Sequence, residues 1–134
     1  MANISELTFP DDLNYTDEHE WAKPEDDVVI VGISDYAQDQ LGDVTFVELP
    51  EVDDEFEKGE TFGTVESTKT VSDLVMPVGG QVVAINAELG ESPGLVNEAP
   101  YAGGWMIRLK PDHPADLEDL MSRDVYVELL KGLE

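Results

Sequence analysis

The 134-residue sequence contains no cysteine. It therefore has neither a disulfide staple nor a thiol nucleophile, and any sulfur redox chemistry must arrive on an attached group. Basic residues are scarce: 7 Lys and Arg stand against 31 Asp and Glu, a formal net charge of −24. A surface of that sign repels phosphate backbones and anionic lipid, which argues against nucleic acid and membranes as partners. Long apolar runs are missing too. No stretch approaches the length that crosses a bilayer, and the N-terminus (MANISELTFPDDLNY) lacks a basic region leading into a hydrophobic one. The expectation is a soluble, unexported, cytoplasmic protein. The acidity has two readings, a solvated surface suited to a salty cytoplasm or a means of steering toward basic patches on partners. The length suffices for one core without disulfides or a structural metal, so a single domain over residues 1–134 is expected.

What is present is rich in β pattern. Between Val28 and Leu109 the chain breaks into VVIVGI, VTFVEL, TFGTV, LVM, QVVAI and WMIRL, separated by segments holding Pro, Gly, Asp or Asn. This predicts a mainly β fold, a small sandwich or barrel, with its core at about 28–110. One interruption reads as helical: Ser34 or Asp35 can cap DYAQDQL, and Gly42 stands where a left-handed residue would end it. GDVTFV and GQVVAI echo one another, either as two quasi-equivalent halves or because short strands between glycine turns look alike. After Lys110, Pro111 and Pro114 break the strand pattern. Leu117, Leu120 and Met121 then follow at helical spacing, and Val125–Leu130 reads as a second helical piece. The segment 114–131 is thus expected to be helical and to pack on the sheet.

The most informative stretch is GTVESTKTVSDLVMP. Lys69 sits in the polar segment ESTKT, with Phe62 and Val65 before it and Val71, Leu74 and Met76 after, which puts the lysine at a hairpin tip. A carrier of a reactive group needs such a tip, exposed for ligation on a backbone that holds still. An exposed turn lysine is by itself ordinarily a solvated surface residue, and spacing alone names no cofactor. The segment, however, resembles the lipoyl attachment motif of the glycine cleavage system H protein family, on Glu66, Ser67, Thr68, Lys69, Ser72, Asp73, Pro77 and Gly80. The resemblance extends to YTDEHEW (Tyr15 to Trp21), VGISDYAQDQLGDVTFVELP (Val31 to Pro50), the Lys58-Gly59-Glu60 turn and NAELGESPGLVNEAPYAGGWMIRLK (Asn86 to Lys110). Lipoyl domains of 2-oxoacid dehydrogenases and biotinyl domains share the hairpin lysine but lack the HEW, YAQ and NEAPY-GGW segments. Biotinyl carriers typically present Met-Lys-Met, where this chain has Thr68-Lys69-Thr70.

The resemblance implies a lipoyl/biotinyl-type barrel-sandwich hybrid with a short internal helix and C-terminal helices. It also implies a non-catalytic carrier with lipoate joined covalently to Lys69, the attachment motif being supported by Glu66, Ser67, Ser72 and Asp73. Such a carrier shuttles an aminomethyl group from a pyridoxal-phosphate glycine decarboxylase (P protein) to a folate-dependent aminomethyltransferase (T protein). A dihydrolipoyl dehydrogenase (L protein) reoxidises the arm, and a lipoyl ligase or transferase installs it. No residue of the chain is expected to be catalytic. Two other readings stand beside this one: a divergent H-like relay carrier with other partners, and an unmodified β-rich interaction module. A carrier of a water-sensitive group gains from a groove that shelters its arm, and Glu20, in HEW, is the candidate carboxylate to pair there with a cationic amine. The alternative is that Glu20 is a solvated surface acid.

Other features carry less. His19 and His113 lack the companion spacing of a zinc site, and His19 reads as structural. The pairs Asp11-Asp12, Asp26-Asp27 and Asp53-Asp54 lack the ligand pattern of an EF-hand. Gly79-Gly80 and Gly103-Gly104 open no helix bearing Lys-Ser/Thr, so they read as turns and not phosphate cradles. Trp21 and Trp105 read as core anchors or caps on the sheet edge.

Overall fold

Apolar residues at alternate positions fold the chain into two antiparallel sheets, seen in a computed structural model that describes residues 4–133. The strands are β1 (Asn14–Tyr15), β2 (Glu20–Glu25), β3 (Val28–Ile33), β4 (Val44–Glu48), β5 (Glu55–Phe56), β6 (Thr61–Ser67), β7 (Val71–Val75), β8 (Gly80–Ile85) and β9 (Ile107–Pro111). One sheet runs β1-β2-β3-β9-β8-β5 and the other β4-β6-β7. The main apolar cluster lies between them, drawing Val29, Val31 and Leu109 from the first and Val47, Val65 and Leu74 from the second. This is the mainly β barrel-sandwich arrangement expected from the sequence.

β3 shows how pattern becomes position. Its run VVIVGI is almost wholly buried because both faces are covered. Val29, Val31 and Ile33 enter the main cluster, while Ile30 points into a second cluster with Phe9, Tyr15, Trp21, Tyr126 and Leu130. Trp21 lies directly across from Gly32, where a methyl group would meet the indole at 2.7 Å, so the glycine makes room for the ring. The helix α1 (Asp35–Leu41) is the one expected: the Ser34 hydroxyl accepts the Ala37 N–H at 3.2 Å, and Gly42 ends it at φ 77°.

Two expectations need correction, and one stretch holds elements that the pattern does not suggest. The sheet begins before Val28, because β2 pairs with β3 over six positions and with β1 beyond. The polar spelling EWAKPE hides it, and Pro24 is tolerated because β1 spans only Asn14–Tyr15 and leaves that part of β2 at an edge. Of the two helical pieces expected in 114–131 the second forms, but the first does not run through Leu117, Leu120 and Met121. Pro114–Asp119 is a 3-10 helix, Leu120 is extended, and Met121 exchanges two 2.8 Å backbone hydrogen bonds with Tyr15 before α3 (Arg123–Lys131) starts. Ser122 caps α3 through the Val125 N–H, which requires extended backbone just before it, and α3 packs through Tyr126 and Leu130. Finally, the stretch after Asn86 contains a 3-10 turn (Ala87–Gly90) and a short helix, α2 (Leu95–Glu98), neither of which the sequence pattern suggested. The echoed glycines also do different work. Gly42 closes a helix ahead of β4, whereas Gly80 is the first residue of β8 and pairs with Pro111.

Candidate functional site: a lysine hairpin and a buried carboxyl group

β6 and β7 form a hairpin whose tip is Thr68, Lys69 and Thr70. The tip is organised by Ser67. Its hydroxyl accepts the N–H groups of Lys69 and Thr70, each at 3.2 Å, and its own N–H donates to the Thr70 carbonyl at 2.8 Å. A serine closing a turn on its own backbone in this way gives a rigid tip without bulk. Thr68 N–H donates to the Asp43 carbonyl at 3.1 Å, anchoring the tip to the end of α1. Lys69 is exposed, and among the described residues the ion pairs belong to Arg123 and Lys131.

The lysine is seated as well as exposed. Its side chain runs over Gly42, where a methyl group would meet Lys69 Cε at 3.2 Å. That seat is held by a residue from a distant part of the chain. The Asn97 amide donates to the Gly42 carbonyl at 2.8 Å and to Gln38 Oε1 at 3.0 Å, and its oxygen accepts the Val44 N–H at 2.8 Å. One side chain thus satisfies groups on both sides of the junction between α1 and β4. Nearby, Trp21 Nε1 donates to the Pro100 carbonyl at 3.0 Å, and Tyr101 accepts the Asp35 N–H and donates to the Thr8 carbonyl. The NEAPY segment is therefore a clasp over α1 and β2.

At the other end of the hairpin stands Glu20. It is 2% exposed, and its Oε2 accepts the Val75 N–H at 2.5 Å across the gap between the two sheets. Its Oε1 is sealed from solvent and has no hydrogen-bond partner among the described residues. Burial above all, reinforced by the negative charges of Glu18 and Asp17 and offset by the Val75 bond, pushes its carboxyl group up to about 8. The reading of Glu20 as a solvated surface acid is thus overturned. Glu20 lines a cavity of about 410 Å³ bounded by the turn before it, Lys58-Gly59, Met76-Pro77 and Leu120-Met121.

The turn that delivers Glu20 is unusually constrained. His19 has φ 68°, a left-handed conformation seldom taken by a residue with a side chain. It is held by its N–H to the Thr16 carbonyl, by the Ser34 N–H to its own carbonyl, and by its ring Nδ1 3.0 Å from the Tyr126 hydroxyl. That hydroxyl lies 2.8 Å from Ser34 Oγ, the cap of α1. Burial holds the His19 imidazole below its ordinary pKa, against the pull of Glu18 and Asp17.

The candidates named from sequence fall at both ends of one hairpin. Lys69 and Ser67 meet at the tip, and Glu66 sits in register between Phe46 and Val71. Ser72 and Asp73 are exposed along β7 opposite Val65 and Thr64, and Glu20 lies beyond them at Val75. The sequence pattern marks Gly42 only as a helix end and Asn97 only as part of a motif. Their pairing is non-local, and a sequence pattern carries no signal for it beyond the recurrence of both segments in one family.

Comparison with known proteins gives a consistent result. The sequence model described as Glycine cleavage H-protein matches residues 13–133. The chain is 52% identical over 124 residues to a protein of Staphylococcus carnosus named Glycine cleavage system H protein, covering 92% of this chain and 98% of that one. It is also 52% identical over 128 residues to the protein of that name from an Anaeromyxobacter species, covering 96% and 100%. Among solved structures, a glycine cleavage system H protein from Mycobacterium marinum superposes with a TM-score of 0.85 at 38% identity, covering 92% of this chain and 99% of the other.

Proposed function

The chain belongs to the glycine cleavage H-protein family, the lipoyl carriers of the glycine cleavage system, and from that premise we propose that Lys69 bears a lipoyl group in amide linkage. The observation that carries this reading is the tip itself: an exposed lysine without an ion partner among the described residues, on backbone fixed by Ser67 and Asp43, over a glycine seat. Attached there, the group would supply a redox-active disulfide as the acceptor for the aminomethyl unit that the glycine decarboxylase, aminomethyltransferase and dihydrolipoyl dehydrogenase handle in turn.

The chain's own contribution is to position and shelter the arm, and its side chains carry out no bond-making step. Amide formation removes the Lys69 charge and leaves a long tether, whose head is held at high effective concentration in any docked active site. β7 offers a track from Lys69 to Glu20, with Ser72 and Asp73 along it, and Glu20 serves as the polar partner of a cationic head. Beside the tip, Phe46 and Val71 are 47% and 58% exposed on either side of Glu66, an apolar surface on an acidic protein. It suits enzymes whose active-site mouths are rimmed with basic residues. Among the described residues no helix is long and apolar enough to cross a membrane, in keeping with a carrier that diffuses between its enzymes in the cytoplasm.

Intact mass of protein purified from its native cell, followed by mapping of the peptide spanning residues 61–76, tests the attachment. A lipoyl increment on Lys69 is expected, and lysine unmodified throughout would overturn the reading. For Glu20, replacement by alanine should shorten the lifetime of the loaded arm, and an unchanged lifetime would remove that residue from the site.

A further inference from the structure

The outer half of the Lys69 side chain lies flat on Gly42. Three consecutive atoms, Cδ, Cε and Nζ, stand 3.6, 3.2 and 3.7 Å from the place a methyl group on that glycine would take. Gly42 is pinned at both of its backbone groups: its N–H donates to the Gln38 carbonyl at 3.0 Å, and its carbonyl accepts the Asn97 amide at 2.8 Å. Its φ of 77° and ψ of −157° belong to a region open in practice to glycine alone. The chain neighbours of the two residues are joined as well, Thr68 N–H to the Asp43 carbonyl at 3.1 Å, so tip and seat keep a fixed register.

The direction of the stem is informative. β6 lies between β4 and β7 in their sheet; Gly42 leads into β4, whereas Glu20 and its cavity adjoin the far end of β7. The seated stem therefore leans to the β4 side, away from that cavity. Packing holds it there and charge does not, because among the described residues the ion pairs belong to Arg123 and Lys131.

We propose that the junction between α1 and β4, with Gly42 held by Asn97, is a loading seat: it lays out the stem of the unmodified lysine so that the amine meets the acyl donor of a ligating enzyme in a fixed place. The proposal rests on the reading of Lys69 as the attachment lysine and adds how that lysine is presented. In the step served, Lys69 Nζ attacks the carbonyl carbon of an activated acyl group. A C–N bond forms, the bond from that carbon to its leaving group breaks with the electron pair going to the leaving group, and the proton of the amine passes to solvent. Gly42 and Asn97 are positioning residues and touch none of the bonds that change. Fixing a lysine stem removes rotamer freedom, and a seat that fixes it before docking takes that cost out of the reaction step. The seat grips the stem alone, so the acylated arm is free to cross to the β7 side.

The test combines NMR of the unmodified full chain with ligation kinetics, using a lipoyl ligase with lipoate and ATP. In the wild type, nuclear Overhauser contacts should join the Lys69 Hε protons to the Gly42 Hα protons. Gly42→Ala fills the seat, and Asn97→Ala keeps the glycine but releases its carbonyl. In both variants kcat should fall at least about threefold, with KM for the carrier within about twofold of wild type. A loosened hairpin acting only through docking would raise KM instead. Missing contacts in the wild type, an unchanged kcat in either folded variant, or an effect carried mainly by KM overturns the proposal. Should Gly42→Ala not fold, the wild-type contacts and Asn97→Ala decide. A wild type that takes no lipoyl group sinks the reading of Lys69 itself, whereas a wild type lipoylated at a rate the variants match sinks the seat alone.

Discussion

Glu20 on β2 and Val75 on β7 are joined by a 2.5 Å hydrogen bond from the Val75 N–H to Glu20 Oε2, a link between the two sheets at the edge of the strand that leads to Lys69. The hairpin is thus fixed at both ends. Ser67 and Asp43 hold its tip, and a carboxyl group holds its base. Because that carboxyl group is nearly excluded from water, its protonation is coupled to the stability of the fold.

Replacing Glu20 by glutamine should reveal this coupling. Its folded-state affinity for a proton is raised, from 4.5 to about 8, so the stability it contributes is complete below about pH 4.5 and is lost as the pH rises through about 8. Across that window the wild type should lose about 1 kcal/mol per pH unit relative to Glu20→Gln, which has no proton to lose. Urea unfolding should find the two alike near pH 4.5 and the variant more stable by on the order of 3 kcal/mol above pH 8. A constant difference between the curves would mean that Glu20 is ionised in the folded protein throughout.

His19 predicts the opposite slope. Burial lowers its pKa below 6.5, so the stability owed to its neutral ring is present above 6.5 and is lost as the pH falls through the lowered value. Asparagine accepts the φ of 68° at this position but does not titrate. Melting temperature followed from neutral to mildly acid pH should therefore fall less steeply in His19→Asn than in the wild type. Parallel profiles would exclude His19 as a source of acid sensitivity.

At Lys69 the expectation is a separation of function from stability. Lys69→Arg leaves an exposed cation on a turn whose backbone is held by Ser67, so stability should stay within about 0.5 kcal/mol of wild type. An arginine offers no amine for amide formation, and intact mass after incubation with a lipoyl ligase should show no increment. A fall in melting temperature of many degrees would mean that the lysine itself holds the hairpin.

These expectations draw unequally on the sequence. The lysine hairpin was readable because ESTKT interrupts an apolar alternation that continues on either side, and α1 because Ser34 and Gly42 mark its ends. The burial of Glu20 was not. EWAKPE carries three ionisable residues and a proline, and the groups gathered round Glu20 come from distant segments, the Val75 N–H on β7 and the Met76-Pro77 and Leu120-Met121 walls of the cavity. Nor could spacing tell a helix from what Leu117, Leu120 and Met121 do. Leu117 and Leu120 pack on the main cluster and Met121 on the second, while the Met121 backbone bridges to Tyr15.

Asn97 offers the sharpest test of how the lysine's seat is held. Its three hydrogen bonds reach Gln38, Gly42 and Val44, the last 53 residues away, and the Gly42 backbone they fix is the surface over which Lys69 runs. In Asn97→Ala the Val44 N–H and the Gly42 carbonyl lose their partners together, and a loss of about 2 kcal/mol is expected from two such groups near the surface. Asn97→Asp keeps an acceptor for Val44 but presents an oxygen to the Gly42 carbonyl, so it should fall between the two or match alanine. Global stability alone does not identify a seat, and hydrogen exchange does. Protection should drop at Val44 and Thr68, whose N–H groups bond to Asn97 and to the Asp43 carbonyl, while the β2–β3 ladder changes only in step with global stability. If the seat matters for modification, the same variant should be lipoylated more slowly than wild type at a temperature where both are fully folded. Unaltered protection at Val44 and Thr68 would show that the junction between α1 and β4 holds Lys69 in place without Asn97.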